Sequence, residues 1–506
     1  MNRLSFYLGI VCMCLVGCAT TNKADTHGKE HLIELKDGVE FSTRMIGFNS
    51  SNAFQFDNTA TVAFQALMDS IKPAILRFPG GTIGNFYHAR SAGYGFRSVD
   101  TKWIKGNVGD HIRSLSERQA VREINYLDDF IRLCKISGSR TIYVFNIISG
   151  STEELDFVLG QLSQNEIDVA GIELGNELYL KGYSDSIPNV QDYIRRCKPF
   201  ADHIREKYPR IPIAAVAVPY SLFDKDILNE WNVGLQRANF YDAISIHVYP
   251  TLDEVNSYAA ANAYMSYATE KLGQFATTNF PQRLKTLSTQ FDNRKIWITE
   301  WNVLSAGTNV GNTMAQCYYI LESLMSSCRS SKELEFSCYH NLYATDHAFS
   351  LLQTKPNKPD EITRNASYYP FLLMASMQED SLIIFQDFVM PGADGVRITP
   401  VRSIKGDKIY LIISNKVEQE RDLHLAMHID SRRLSLAHPV RKSTISAGAL
   451  YSSPGKSFFE NNASLYEDHS KISELIRQFK YVENDTSGMH IAPFSISIVE
   501  FDLQKP

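Results

Sequence analysis

Between residues 44 and 378, eight short apolar runs alternate with longer amphipathic stretches, and that alternation leaves the chain very few folds. The runs are MIGFN (45–49), AILRFP (74–79), TIYVFNI (141–147), VAGIELGN (169–176), IPIAAVAV (211–218), AISIHVY (243–249), KIWITEW (295–301) and EFSCYHNLY (335–343). Near-continuous hydrophobicity suits parallel strands buried on both faces. Between the runs, REINYLDDFIRLCKIS sets Ile124, Leu127, Phe130, Ile131 and Cys134 on one helical stripe. VQDYIRRCKPFADHIREKY and NTMAQCYYILESLMSSC behave likewise. Eight such units predict an α/β fold, the (β/α)8 TIM barrel, over 44–378. An open doubly wound sheet is the rival, weakened because no GxGxxG follows the first strand.

The texture changes near Ser381. SLIIFQDFV, GVRITPV, KIYLIISNK, DLHLAMHI and FSISIVEFDL are short runs separated by turn residues. They predict a C-terminal antiparallel β-sandwich over 379–506. HLIELKDGVEFS precedes the first barrel strand, so residues 31–43 are expected to add strands to that sandwich.

A chain of 506 residues with 44% hydrophobic and 21% charged residues can build a large core and is not a disordered polymer. A formal net charge of -5 supplies no global basic field for nucleic acid, and no phosphate loop or basic stripe interrupts the pattern. The N-terminus stands apart. Arg3 is followed by an apolar run from Leu4 to Val16, too short for a confident membrane span and typical of a secretory signal. It ends in LVGC, which resembles a bacterial lipoprotein signal. The resemblance implies a signal peptide over 1–17, lipidation of Cys18, and a polar tether over 18–30. The expected location is a bacterial cell envelope, at the outer membrane, with the membrane partnered through the lipid anchor. Cys134, Cys197, Cys317, Cys328 and Cys338 lie in apolar contexts without CxxC spacing, so buried free thiols are the default and no metal or other cofactor is expected.

Two acids sit where a barrel of this register opens. Glu177 lies just past the fourth strand and Glu300 at the end of the seventh. The C-terminal strand ends form the active face of such a barrel, so the pair is distant in sequence and expected to be close in space. Glycosidic bond cleavage needs two carboxyl groups, one to protonate the leaving oxygen and one to attack the anomeric carbon or activate water. A carboxyl that acts as an acid near neutral pH needs a raised pKa, which burial supplies. Glu173, four residues before Glu177, reads as a structural carboxylate within the barrel.

GNE after strand four and TEWN after strand seven resemble the clan of retaining glycoside hydrolases built on TIM barrels. The resemblance implies that Glu177 is the acid/base, Glu300 the nucleophile, and Asn176 a donor to the sugar hydroxyl beside the anomeric carbon. It also implies a Tyr or His from strand six near the nucleophile, which selects Tyr249 and His247. LRFPGGTIGNFYH resembles the R-x-PGG segment of α-L-arabinofuranosidases in this clan. That implies Arg77 supports the nucleophile, while Gly80 and Gly81 allow a sharp turn or close approach. Asn49 closes GFN at the end of strand one and is assigned to the rim. NASYYPFLLMASM after strand eight resembles the helix that leads such enzymes into their sandwich. PGGT stands where the arabinofuranosidases have PGGN, and their DGxGP is missing. GGT and ELGNE also resemble heparanase and β-glucuronidase relatives, and an agarase- or porphyranase-like activity is a further alternative. A glycan-binding lipoprotein on a hydrolase scaffold is the alternative of another class.

Trp301 is assigned as a stacking floor for a sugar, against ordinary packing of a strand-end Trp. The long loop from Gly80 to Leu115 carries Tyr87, Tyr94, Phe96 and Trp103 with Arg90, Arg97, Lys102, Lys105 and Arg113. It reads either as a solvated loop with packed rings or as a surface for uronate or sulfate groups. DHAFSLLQTKPNKPDEITR after strand eight reads as a subsite lining or an exposed excursion.

Overall fold

The computed structural model describes residues 30–50, 61–89, 95–104, 106–121, 126–219, 225–252, 261–303, 310–343, 350–355, 358–377, 381–429, 432–454 and 472–503. The signal, Cys18 and nearly all of the tether lie outside the described residues.

Two short strands come first, β1 (His31–Glu34) and β2 (Val39–Ser42). Eight more follow: β3 (Ile46–Asn49), β4 (Ile75–Phe78), β5 (Arg140–Phe145), β6 (Val169–Leu174), β7 (Ile213–Val216), β8 (Ala243–Val248), β9 (Lys295–Trp301) and β10 (Leu334–Tyr339). Each pairs in parallel with the next, and β10 returns to β3 with Ser337 opposite Ile46, which closes the barrel. All eight expected runs contain a strand. The last is shorter than its apolar run: beyond Tyr339, its ties to the neighbouring barrel strands are isolated bonds such as His340 N to Trp301 O (2.9 Å) and Leu342 N to Asn49 O (3.0 Å).

The barrel interior is filled in tiers. At the base, Trp297 packs with Ile75, Ile142, Ala214, Ala243, Phe336 and Cys338. Gly171 on β6 makes room for that indole, since a Cβ there would meet a Trp297 ring carbon at 2.1 Å. Gly171→Ala is therefore expected to destabilise the fold by about 1–3 kcal/mol, the usual cost of overpacking. A denaturant titration checks it, and an unchanged midpoint would mean the indole can yield. Above this tier lie charged groups, and above them the rim.

β9 carries a bulge. Ile246 pairs with Ile298, but the next residue, His247, pairs with Glu300, so Thr299 has no opposite number on β8. A bulge re-aims side chains by breaking the two-residue alternation. Here it lets two consecutive residues face inward, Thr299 towards Glu173 and Glu300 towards Arg77.

The remaining strands form sheets that are antiparallel apart from one pairing. β2 lies antiparallel to Ser381–Ile384, with Phe41 opposite Leu382. The sheet continues through Val396–Ser403, Lys408–Asn415, Ser495–Asp502, Arg441–Ser446 and Lys480–Asp485. β1 lies parallel to Leu425–Ile429 in a second, three-stranded sheet. A separate core draws Ile33, Leu425 and Met427 from that sheet together with Ile398, Leu411 and Phe501 from the larger one. The helix Met314–Arg329 meets the larger sheet through Tyr318, whose hydroxyl donates to Asn415 O (2.6 Å), and through a Lys416–Glu322 ion pair (2.6 Å). Cys134, Cys197, Cys317, Cys328 and Cys338 are buried free thiols.

Candidate active site

The interior tier above Trp297 is organised by Arg77, which is fully buried on β4. Its Nε donates to Glu173 Oε2 (2.7 Å), one terminal nitrogen to Glu300 Oε1 (2.7 Å), and the other to Asn176 Oδ1 (2.8 Å). The planar guanidinium fork suits three acceptors in fixed directions better than an ammonium would. Thr299 Oγ1 donates to the second oxygen of Glu173 (3.0 Å), so that carboxylate is satisfied within the barrel. Burial works against the charge of Arg77, but Glu173 and Glu300 outweigh it and hold the guanidinium firmly protonated.

Glu300 is the most heavily supported group of the rim. Its Oε1 accepts from Arg77 and from Asn49 Nδ2 (3.0 Å), and its Oε2 accepts from the Tyr249 hydroxyl (2.7 Å). The imidazoles of His247 and His340 each bring Nδ1 within 3.6 Å of Oε2. Burial alone would raise its pKa. His247, Arg77 and the Tyr249 hydrogen bond outweigh that, and Glu300 is held well below the usual carboxylate range. Tyr249 shifts the other way, because burial and the negative charge of Glu300 keep its phenol protonated and donating.

Glu177 follows β6 across Gly175 and Asn176. Its backbone is left-handed, with φ of 48°, a conformation that costs a non-glycine residue of order 1 kcal/mol or more. Such strain persists only where surrounding contacts fix the chain. Asn85 supplies them: its side chain accepts from Asn176 N (2.8 Å) and donates to Asn176 O (2.8 Å). Glu177 Oε1 lies 2.8 Å from His247 Nδ1, and its side chain is 23% exposed, against 7% for Glu300. His247 lies 2.8 Å from Glu177 Oε1 and 3.6 Å from Glu300 Oε2, so the sum of those distances, 6.4 Å, caps the separation of the two oxygens. Burial lowers the pKa of His247, but Glu300 and Glu177 outweigh it and the imidazole is raised.

The glycine pair after β4 turns with φ of 66° at Gly80 and 60° at Gly81. A Cβ on Gly80 would lie 2.0 Å from Asn49 Oδ1, so only glycine leaves the Asn49 amide where it reaches Glu300. Asn176 Nδ2 is buried and has no hydrogen-bond partner among the described residues. That orphan donor is a feature a ligand would satisfy.

Asn49, Arg77, Asn176, Glu177, His247, Tyr249 and Glu300 thus converge on one rim. Trp301 does not. With Glu300 turned inward by the bulge, Trp301 turns outward and packs against Tyr339 (5.1 Å between centroids), Tyr319 and Phe371. At 3% exposure it packs among these rings. Two participants lie outside the sequence reading. Asn85 sits in the quoted LRFPGGTIGNFYH segment, but its bonds to Asn176 join segments far apart in the chain. His340 falls inside the apolar run 335–343, whereas it is the first residue beyond β10.

The loop after β4 is largely packed. Tyr87 and Phe96 are buried, and His88 bonds both Asp100 (2.8 Å) and Glu154 (3.1 Å). Glu154 also closes the capping box of helix Thr152–Gln164 with Ser151. Arg97 is held by Glu154 and Arg113 by Asp110. Arg90, Tyr94 and Lys105 lie outside the described residues. In the excursion after β10, Leu352–Lys355 and Lys358–Arg364 form an antiparallel pair. A cavity of about 630 Å³ lies at the opposite, N-terminal end of the barrel, lined by Arg44, Lys72, Arg140 and Asp168 among others. Its single carboxylate is bound by Arg140 (2.7 Å), so it lacks the paired acids of the rim. Among the described residues no group of three or more His, Cys, Asp and Glu side chains has the arrangement to hold a metal ion.

No family model matches the chain, and no curated protein matches it. Solved structures do. An α-L-arabinofuranosidase from Thermotoga maritima in complex with arabinose aligns over 93% of this chain and 99% of its own, with 17% identity and a TM-score of 0.61. A family 51 α-L-arabinofuranosidase from Bifidobacterium longum aligns over 92% and 99%, with 12% identity and a TM-score of 0.64. A family 44 xyloglucanase from Paenibacillus polymyxa aligns over 93% and 99%, with 11% identity and a TM-score of 0.56. What this chain shares with these glycoside hydrolases is their fold, over nearly the whole length of each.

Proposed function

We propose that this chain is a retaining glycoside hydrolase of arabinofuranosidase-like type. The observation that carries the reading is the pair Glu177 and Glu300 on one rim, both facing His247. Glu177 Oε1 and Glu300 Oε2 lie no more than 6.4 Å apart, the sum of 2.8 and 3.6 Å, so both carboxyls reach one glycosidic bond. Glu300, kept ionised by His247, Arg77 and Tyr249, attacks the anomeric carbon. Glu177 protonates the departing oxygen, and the bond to the leaving group breaks as the glycosyl ester of Glu300 forms. Glu177 then takes a proton from water, which displaces Glu300 and releases the sugar. Asn176 Nδ2, the buried donor without a partner among the described residues, bonds the hydroxyl beside the anomeric carbon.

The arabinofuranosidase-like form leads because the fold likeness includes two such enzymes over nearly their full length. A glucuronidase-like form would draw on the basic loop, yet Arg97 and Arg113 there are already paired with Glu154 and Asp110. We further propose that Cys18 carries lipid, that the protein is anchored in a bacterial envelope, and that the antiparallel sheets are a sandwich domain appended to the barrel.

A panel of aryl glycosides tests the acid role of Glu177. In Glu177→Gln, kcat/KM on poor leaving groups is expected to fall by about 10²–10⁴-fold, the usual worth of a general acid, while activated leaving groups are largely spared. Equal losses across the panel would remove Glu177 from that role. Glycan binding by wild type without turnover of any glycoside would favour a binding protein.

A further inference from the structure

His340, which the proposed mechanism does not use, stands beside the nucleophile and touches it through a third residue. The side-chain amide of Asn49 has two hydrogens to give. One goes to Glu300 Oε1 (3.0 Å) and the other to His340 Nδ1 (2.8 Å). A ring nitrogen that accepts a hydrogen bond carries no proton, so this contact requires a neutral imidazole with its proton on Nε2. Nε2 faces the side-chain amide of Asn341 at 3.4 Å, and Asn341 Oδ1 is buried without a partner among the described residues. Turning that amide over brings Oδ1 onto Nε2–H and gives that oxygen a partner.

We propose that His340 is a positioning residue for Glu300, acting as a neutral imidazole that fixes the Asn49 amide, so that its protonation sets the acid edge of the reaction. The inference rests on the hydrolase reading only in its last clause. Protonated His340 would set an N–H of Nδ1 against an N–H of Asn49, donor against donor. The imidazolium would instead favour Glu300 Oε2, 3.6 Å away, and the bond from Asn49 to Oε1 would lose its fixed direction. Among the described residues, the charged and titratable groups around the ring are Glu300 on β9, His247 and Tyr249 at the end of β8, Arg77 on β4 and Glu177 beyond β6. Burial disfavours the imidazolium, and His247 and Arg77 add to that against the pull of Glu300 and Glu177, which leaves its pKa lowered. Glu300 itself is held too far down to supply an acid edge in the ordinary range.

The test has one arm without substrate and one with. In the first, the full chain is labelled with ¹⁵N in the histidine rings and followed by NMR from pH 5 to 8, with H340N identifying the His340 signals. The expected result is a neutral ring protonated on Nε2, titrating below the ordinary value of about 6.5, with an upward shift in Asn49→Ala. A proton on Nδ1, or titration at or above the ordinary value, overturns the proposal. In the second arm, kcat/KM on an aryl arabinofuranoside is followed against pH. His340→Asn keeps an acceptor near the Nδ1 position without titrating there, whereas His340→Phe keeps a ring and removes the acceptor. H340N should move the acid edge to lower pH by about one unit or more, and H340F should lose at least about tenfold more activity than H340N. An unmoved edge in H340N, or equal losses in the two variants, overturns it. Turnover of no aryl glycoside would count against the hydrolase reading, while the NMR arm would still decide the state of His340.

Discussion

Glu300→Gln is expected to lower turnover by about 10⁴-fold or more on every substrate the wild type cleaves, as loss of a covalent nucleophile does elsewhere. Glutamine preserves the shape that Arg77, Asn49 and Tyr249 surround, so the fold should survive and the loss should be chemical. It cannot preserve the charge. The amide also places an N–H against donors that now all point at oxygens, so local hydrogen bonding will loosen. The measurement is steady-state hydrolysis with trapping of the glycosyl-enzyme: wild type should accumulate a covalent ester, and Glu300→Gln none. An ester in the variant, or residual turnover within tenfold of wild type, would move the nucleophile elsewhere.

Arg77→Met should produce the largest loss of stability of any single change at the rim. It leaves Glu173 and Glu300 buried without their shared cation, and breaking a buried ion pair from one side typically costs about 3–5 kcal/mol. The pH dependence has a definite sign. Glu300 is depressed in the folded state, so its contribution in wild type is fully present above the unfolded carboxylate value and is lost as pH falls through the folded one. Without Arg77, Glu300 is less costly to protonate than to keep charged. The gap in melting temperature between wild type and Arg77→Met should therefore narrow as pH is lowered from 7 towards 4. A gap that is small at pH 7, or that widens in acid, would mean the two acids are neutralised by something other than this guanidinium.

The barrel was legible because eight buried parallel strands leave eight apolar runs, and their order alone sends Glu177 and Glu300 to one rim. Glu173 was legible as a structural acid for the same reason, since it lies in the body of β6 with the parity of Gly171. Trp301 was not. Reading it required knowing that β9 contains a bulge, and a bulge leaves no mark in composition: Ile298, Thr299 and Glu300 could equally form a regular strand. His340 was missed because apolar residues on both sides extend the run past the point where pairing stops. Asn85 was missed because its role is to hold the backbone of Asn176, a contact between segments far apart in the chain. Pattern reading finds which side chains face a core, and it does not find which distant loop braces them.

The places of β1 and β2 bear on how the molecule is assembled. Both strands are made before any of the barrel, yet β2 pairs with Ser381–Ile384 and β1 with Leu425–Ile429. Every barrel strand lies between those partners in the chain. Closing so long a loop is slow to achieve, even though each doubling of its length adds only about 0.6 kcal/mol. During synthesis the two N-terminal strands must wait, with open edges, until the C-terminal strands arrive. The barrel can form in that interval from contacts between neighbouring units, and the antiparallel sheets then clasp it by joining the two ends of the chain. Removing residues 31–42 should accordingly spare the barrel's own ladder while leaving Ser381–Ile384 and Leu425–Ile429 each with an exposed edge.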